Sequence, residues 1–314
     1  MKNMRILVLG AGGIGGYFGG RLAETGADVT FLVREKRQVV LREKGLRITS
    51  QFGDAALEVK TMLATELQPV FDAVILTCKA YDLQEAMETI APGLAPTGFV
   101  LPLLNGIAQM EALNDRFGKD RVLGGSAKIQ VTLTPEGVVH QLNDWRTITF
   151  GEQSGEMSPR ILALADLFKA TKGVDAHAVP DIMQRMWEKF VHLATAAAMT
   201  CLMRANVGEI VRTPEGGKIF LKLLHDSAKV SASQGFPPSQ QFMQLYEDTF
   251  SQRDSLYTTS MLRDIERKGK TEVDHILGFM LRKAQEAEVD HETIRLAYTH
   301  VKAFEQRLAA GRLQ

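Results

Sequence analysis

The sequence predicts a doubly wound α/β layer architecture with an antiparallel edge extension over residues 1–180, followed by an all-α domain over residues 181–314. Three observations lead there. Short apolar runs without alternation recur through the first 130 residues, amphipathic stretches separate them, and beyond Pro180 only helical spacing remains. Consecutive apolar residues mark strands buried on both faces of a parallel sheet, and the intervening helices supply the crossovers such a sheet requires.

Taken in order, residues 5–9, 28–33, 72–78 and 98–104 are the expected strands, with helices over 17–25 and 83–94. From Lys128 the pattern changes. Ile129-Gln130-Val131-Thr132-Leu133, the turn Pro135-Glu136-Gly137 and Val138-Val139-His140 read as a hairpin on the sheet edge, and residues 147–150 as a third strand. A helix over 158–170 and a strand over 174–179 complete the first domain. Asp181 with Gln184 reads as a capping box, after which Ile182, Met186, Phe190 and Met183, Trp187, Val191 form apolar stripes. Further helices are expected over 217–234, 238–249, 260–267, 272–288 and 292–309.

Composition excludes several classes of function. The 314 residues hold 37 basic and 37 acidic side chains, so no net charge attracts nucleic acid or an anionic membrane. Cys78 and Cys201 form no disulfide framework, and the seven histidines match no metal-ligand spacing, so no metal is expected. Lys2 and Arg5 before Ile6-Leu7-Val8-Leu9-Gly10-Ala11 imitate a short secretory signal, yet the run passes at once into glycines. The longest polar-poor stretch, residues 190–203, falls short of the ~20 residues that span a bilayer. A cytoplasmic location with both thiols reduced is the expectation.

Gly10-Ala11-Gly12-Gly13-Ile14-Gly15 fits G-x-G-x-x-G between the first strand and the first helix. The first glycine permits the tight turn, the second lets the backbone approach a pyrophosphate, and the third packs helix on strand. With a second strand beyond Gly26-Ala27-Asp28, this is the context of a Rossmann-type dinucleotide site. That second strand, Thr30-Phe31-Leu32-Val33, runs into Arg34, whose guanidinium suits the 2′-phosphate of NADPH. Glu35, one residue later, keeps NADH open as the alternative. Lys36 and Arg37 offer further cations to assist Arg34 there, with a solvated charge run as the favoured reading of both. Cys78-Lys79 and Asn105-Gly106 stand at the ends of later strands, where open α/β sheets place their ligands.

In the second domain Lys189 shares a helical stripe with Leu193 and Ala197. Apolar surroundings disfavour an ammonium ion and bring it toward the range useful for proton transfer; a snorkelling lysine is the alternative. Glu272, in Thr271-Glu272-Val273-Asp274, and Ser260 with Asp264 read equally well as ordinary residues at helix starts.

Together these residues resemble the ketopantoate reductase (2-dehydropantoate 2-reductase) family along essentially the whole chain. The resemblance is carried by the glycine segment from Ile6 to Gly15, by Thr77-Cys78-Lys79-Ala80 and by Leu104-Asn105-Gly106. In the helical half it is carried by Trp187-Glu188-Lys189-Phe190, Ser260-Met261-Leu262-Arg263-Asp264-Ile265 and Thr271-Glu272-Val273-Asp274-His275-Ile276-Leu277-Gly278-Phe279. It implies NADPH-dependent reduction of a 2-keto acid to a 2-hydroxy acid, in the family 2-dehydropantoate to pantoate on the route to pantothenate and coenzyme A. By that similarity Lys189 is the general acid and Glu272 orients it together with a substrate hydroxyl. Asn105 and Ser260 hold the substrate beside the cofactor, and Arg34 and Lys79 contact NADPH. A homodimer formed through the helical domain is a further expectation.

One departure bears on the substrate. Family members carry asparagines one and two turns after the lysine, where this chain has Leu193 and Ala197. Loss of two amide partners points to a paralogue acting on a less polar keto acid or to an NADPH-binding module without turnover; a 3-hydroxyacid dehydrogenase of related fold, acting through the same lysine position, is a separate alternative.

Overall fold

The computed structural model describes residues 4–313. The chain divides into two units: the first runs to Asn105 and resumes over Gln109–Ile182, and the second holds Gly106–Ala108 and everything from Met183.

The first unit begins β1 (Ile6–Leu9), α1 (Gly13–Glu24), β2 (Val29–Leu32), α2 (Glu35–Lys44), β3 (Leu46–Thr49), β4 (Ala55–Leu57) and β5 (Lys60–Met62). It continues with β6 (Phe71–Leu76), α3 (Leu83–Ile90), β7 (Leu94–Pro102) and α4 (Gln109–Phe117). β8 (Leu123–Leu133), β9 (Val139–Glu152), α5 (Pro159–Lys169) and β10 (Asp175–Ala178) complete it. Five strands form a parallel sheet in the order β5-β2-β1-β6-β7, with Ile6 opposite both Val29 and Ala73. Its central strands are buried on both faces, as continuous apolar runs require: Ile6, Leu7, Val8, Val74, Ile75 and Leu76 have no exposed surface.

The expected hairpin exists and is larger than its sequence signal. β8 and β9 pair antiparallel from Leu123–Glu152 to Leu133–Val139. Between them Thr134 and Val138 close a turn whose Gly137 has φ +82°. The hairpin leaves the edge strand β7 through a single bridge, Val100 to Val122, and then joins a second sheet of order β10-β9-β3-β4. Residues 147–150 are therefore no third strand but the continuation of β9 beyond a bulge. There the Asn143 carboxamide oxygen accepts from the N–H groups of Gln130 and Trp145, which makes a polar interruption resemble a strand end. The sequence reading did not include α2, α4 or β3 to β5. α2 is mostly charged, so no apolar stripe announces it, and the three strands have at most four residues each.

α1 packs between the two sheets, and its glycines make that possible. A Cβ on Gly19 would press on Val8 and Phe31 of the parallel sheet. On the opposite side, Cβ atoms on Gly13, Gly16 and Gly20 would press on Val131, Val139 and Ile48 of the second sheet. Two polar side chains of the helix are buried in the process. The Tyr17 hydroxyl donates to the Gly173 carbonyl at 2.6 Å, and Arg21 pairs with Glu24 at 2.9 Å while wholly buried.

Among the described residues the second unit holds helices and no strand. They are α6 (Ile182–Met203), α7 (Val207–Val211), α8 (Gly216–Ser233), α9 (Gln240–Thr249), α10 (Ser260–Glu266), α11 (Phe279–Glu286) and α12 (Glu292–Ala309), with one π turn over Asp274–Gly278. α6 carries Ala194–Cys201 without an exposed residue, so it is the buried axis of the unit. No described helix is long and apolar enough to cross a membrane.

Two glycine substitutions should move stability in opposite directions. Gly15→Ala places a methyl group against the Gly10 carbonyl and 2.6 Å from Thr77 Oγ1, and should cost about 1–3 kcal/mol. Gly217→Ala lies in a helix with nothing within 4 Å of the new Cβ, and should gain roughly 0.5–1 kcal/mol. Urea unfolding midpoints at constant m-value check both.

Candidate functional site

At the end of β1 the chain turns through Gly10 at φ +86°, a conformation that L side chains rarely adopt. Gly12 is the N-cap of α1, and the first helical bond runs from Gly16 N–H to the Gly12 carbonyl at 2.8 Å. The N–H groups of Gly13, Ile14 and Gly15 thus precede the helical ladder at the positive end of the dipole, where an anion is favoured. Thr77, just beyond β6, donates to the Leu9 carbonyl at 2.8 Å and lies against Gly15, which seats the loop on the parallel sheet. A groove of about 470 Å³ opens here, lined by Gly10, Ala11, Gly12, Arg34, Arg37, Thr77 and Cys78 among others.

Arg34 caps α2 at the end of β2, with its guanidinium 3.4 Å from the Glu85 carboxylate of α3. Both side chains are more than two thirds exposed, so this pair is worth little and yields readily to a competing anion. Glu35 and Lys36 face solvent. Arg37 does not, which corrects the expectation of a solvated charge run. Half-buried, it donates from Nε (3.2 Å) and Nη2 (2.9 Å) to the Ala11 carbonyl and from Nη1 (3.0 Å) to the Gly137 carbonyl. Burial lowers its pKa from the ordinary arginine value, though a guanidinium so placed remains charged. Lys79 is exposed at the cap of the short turn Ala80–Asp82, while Thr77 and Cys78 supply the groove wall at that strand end. Asn105 follows β7 and is half-buried.

In the second unit Lys189 is half-buried on α6, between the buried Trp187 and Phe190. Both rings contact Phe279 at the start of α11, at 6.3 and 5.7 Å between centroids. The turn that carries Lys189 is thereby clamped to the helix entered seven residues after Glu272. Glu272 itself is buried, in a segment where the Thr271 hydroxyl donates to Glu305 at 2.6 Å. Two further ties hold α6 to the segment that leads into Ser260. His192 meets the Tyr257 hydroxyl at 3.0 Å, and Thr200 meets Thr259 at 2.9 Å, the latter capping α10 by accepting from Leu262 N–H. Burial pushes the Tyr257 hydroxyl and the Cys201 thiol up to about 12, so neither places a charge beside α6 at neutral pH. On this helix Leu193 is half-buried and Ala197 wholly buried.

The structure therefore gathers Gly10, Gly12 and Arg34 around one groove, with Gly13, Ile14 and Gly15 in the adjoining first turn. It ties the segments of Lys189, Ser260 and Glu272 to one helix. Sequence reasoning missed Thr200, Thr259 and the His192–Tyr257 contact, and it weighed Arg37 only as a helper of Arg34 or a solvated charge, not as a partner of the Ala11 and Gly137 carbonyls. For Arg37 the only signal was its place four residues after a strand end. For the others, buried hydroxyl groups on an apolar helix face were the available signal, since such groups need partners.

Comparison with known proteins agrees along the chain's length. The model of the family described as "Ketopantoate reductase PanE/ApbA" matches residues 6–155, and that of its C-terminal part matches residues 181–305. The chain is 35% identical over 308 residues to the uncharacterized oxidoreductase YkpB of Bacillus subtilis, covering 96% of this chain and 99% of the relative. It is 31% identical over 312 residues to a 2-dehydropantoate 2-reductase of Archaeoglobus fulgidus, covering 98% and 100%. The crystal structure of 2-dehydropantoate 2-reductase from Methylococcus capsulatus superposes with a TM-score of 0.87 at 27% identity, over 98% of each chain. With both family models matched in sequence and the fold shared from end to end, the chain belongs to the ketopantoate reductase family of nicotinamide-dependent oxidoreductases.

Proposed function

We propose that this chain reduces a 2-keto acid to the 2-hydroxy acid with NADPH, with 2-dehydropantoate as the first substrate to test and pantoate as its product. The observation that carries the reading is Lys189, half-buried in the one turn of α6 that an aromatic cluster clamps to the helix following Glu272. A lysine on a turn held this way leaves the helix from a fixed backbone position, which suits it to serve as a positioned proton donor.

The residues fit a dinucleotide. Gly10 at φ +86°, Gly15 without room for a Cβ and the open first turn of α1 accept a diphosphate, and the weakly paired Arg34 accepts a 2′-phosphate. When bound, the cofactor supplies a hydride to the keto carbon. The Lys189 ammonium gives its proton to the keto oxygen as negative charge develops there. The Glu272 carboxylate accepts hydrogen bonds from that ammonium and from a substrate hydroxyl, and Asn105 and Ser260 bind the remaining polar groups of the substrate.

A second reading concerns the acid. Leu193 and Ala197 present no amide on the helix face of Lys189, which favours a less polar keto acid over 2-dehydropantoate.

Three measurements follow. Lys189→Ala should lower kcat by ~10²–10⁴-fold with coenzyme affinity nearly intact; turnover like that of the unsubstituted chain would remove the assigned role. Arg34→Ala should weaken NADPH far more than NADH in a fluorescence titration, and equal losses would count against the 2′-phosphate assignment. A panel of 2-keto acids with NADPH oxidation as readout ranks the substrates. The main reading expects 2-dehydropantoate to lead in kcat/KM, and the second expects a keto acid with an apolar side chain to lead.

A further inference from the structure

Arg37 spends its fork on backbone. Nε and Nη2 both donate to the Ala11 carbonyl, at 3.2 and 2.9 Å, and Nη1 donates to the Gly137 carbonyl at 3.0 Å. Ala11 is the residue between the first two glycines of the loop and is itself buried. Both Ala11 and Arg37 line the groove that opens at the first turn of α1.

Two physical consequences follow. The Ala11–Gly12 peptide is trans and planar, so its N–H points opposite its carbonyl, and whatever fixes the carbonyl fixes the N–H. A carbonyl turned toward the groove would also present its negative end to an anion. Two donors from a cation draw that oxygen aside and leave the positive end of the peptide for the ligand. The third donor ties the same guanidinium to the turn between β8 and β9. There Gly137 has φ +82°, a conformation that favours glycine, and the turn so formed offers its carbonyl to Nη1.

We infer that Arg37 is a positioning residue for the cofactor: by holding the Ala11 carbonyl it presets the Gly12 N–H and the glycine loop for the diphosphate of a dinucleotide. The inference rests on the nicotinamide cofactor reading above and adds a division of labour to it. Arg34 reads the 2′-phosphate, which only NADPH has, whereas Arg37 organises the part of the site that faces the diphosphate, which NADPH and NADH share.

The test compares Arg37→Met, which keeps the apolar stem, with Arg37→Lys, which keeps the charge but not the fork. Dissociation constants are measured for NADPH, NADH and adenosine 2′-monophosphate, a fragment without a diphosphate, alongside thermal unfolding. Arg37→Met should weaken NADPH and NADH by a common factor, roughly ten- to a hundredfold for two lost charge-assisted bonds, and leave the fragment's affinity unchanged. The loss should appear in the KM for coenzyme rather than in kcat, and Arg37→Lys should recover part of it. If Arg37→Met does not fold, the same proportional loss in Arg37→Lys carries the result. A loss confined to NADPH, or no loss with either coenzyme, would overturn the assignment while leaving the cofactor reading in place. If the unsubstituted chain binds neither coenzyme, both fall together.

Discussion

The constraint on which the first unit depends is the thickness of α1. A helix enclosed by two sheets has little room for side chains on the faces it turns to them, and this one omits them at Gly13, Gly15, Gly16, Gly19 and Gly20. Five glycines in a helix cost roughly 0.5–1 kcal/mol each relative to alanine. Tyr17, Phe18 and Leu22, all without exposed surface, return about 1.5–3 kcal/mol apiece through burial, so the sandwich is stable despite its weak helix propensity. The same packing serves the ligand site. Because Gly13 lies against Val131 and Gly15 against Thr77, the first turn is held from both sides, and its unsatisfied N–H groups are fixed before any anion arrives.

The helical unit applies the same logic to a side chain. α6 is buried around its whole circumference over Ala194–Cys201 and tied by Thr200 and His192 to the segment before Ser260. It is also packed through Trp187 and Phe190 against Phe279. A side chain leaving such a helix starts from a backbone already fixed at folding, so less freedom remains to be lost when it engages a partner. Thr195 with Ser227 at 3.2 Å and Thr200 with Thr259 at 2.9 Å are neutral hydroxyl pairs, which orient the helix without adding charge to it.

What was legible in the sequence follows from how local each signal is. The four buried strands, the glycine loop and five of the later helices showed themselves by consecutive apolar residues, by a motif or by 3.6-residue spacing, and the structure has them within a few residues. The second sheet was illegible because its pairing is non-local: Ile48 meets Val139 across about ninety positions, and nothing in residues 46–62 announces a partner. The bulge at Asn143 hid the length of β9 for the opposite reason, a local polar signal outweighing a distant pairing. Arg37 was misread because a charged residue in a charged run looks solvated until the carbonyls it caps are known. Lys189 and Arg34 were legible as candidates from position alone, whereas Ser260 and Glu272 acquired a role only from the family resemblance.

The two residues that depart from the family pattern bear on how selective the proposed site would be. A pocket that hydrogen-bonds a substrate hydroxyl rejects an analogue lacking it by ~10⁴–10⁵-fold, because its own buried polar groups would be left unpaired. A hydrophobic surface discriminates by only about 1–3 kcal/mol per methylene and barely rejects an added hydroxyl. Leu193 and Ala197 are of the second kind, and Ala197 is wholly buried, so neither leaves an amide unsatisfied when an apolar group lies beside it. On the second reading of the function, this helix face would select by shape rather than by unmet hydrogen bonds, leaving hydroxyl recognition to Glu272.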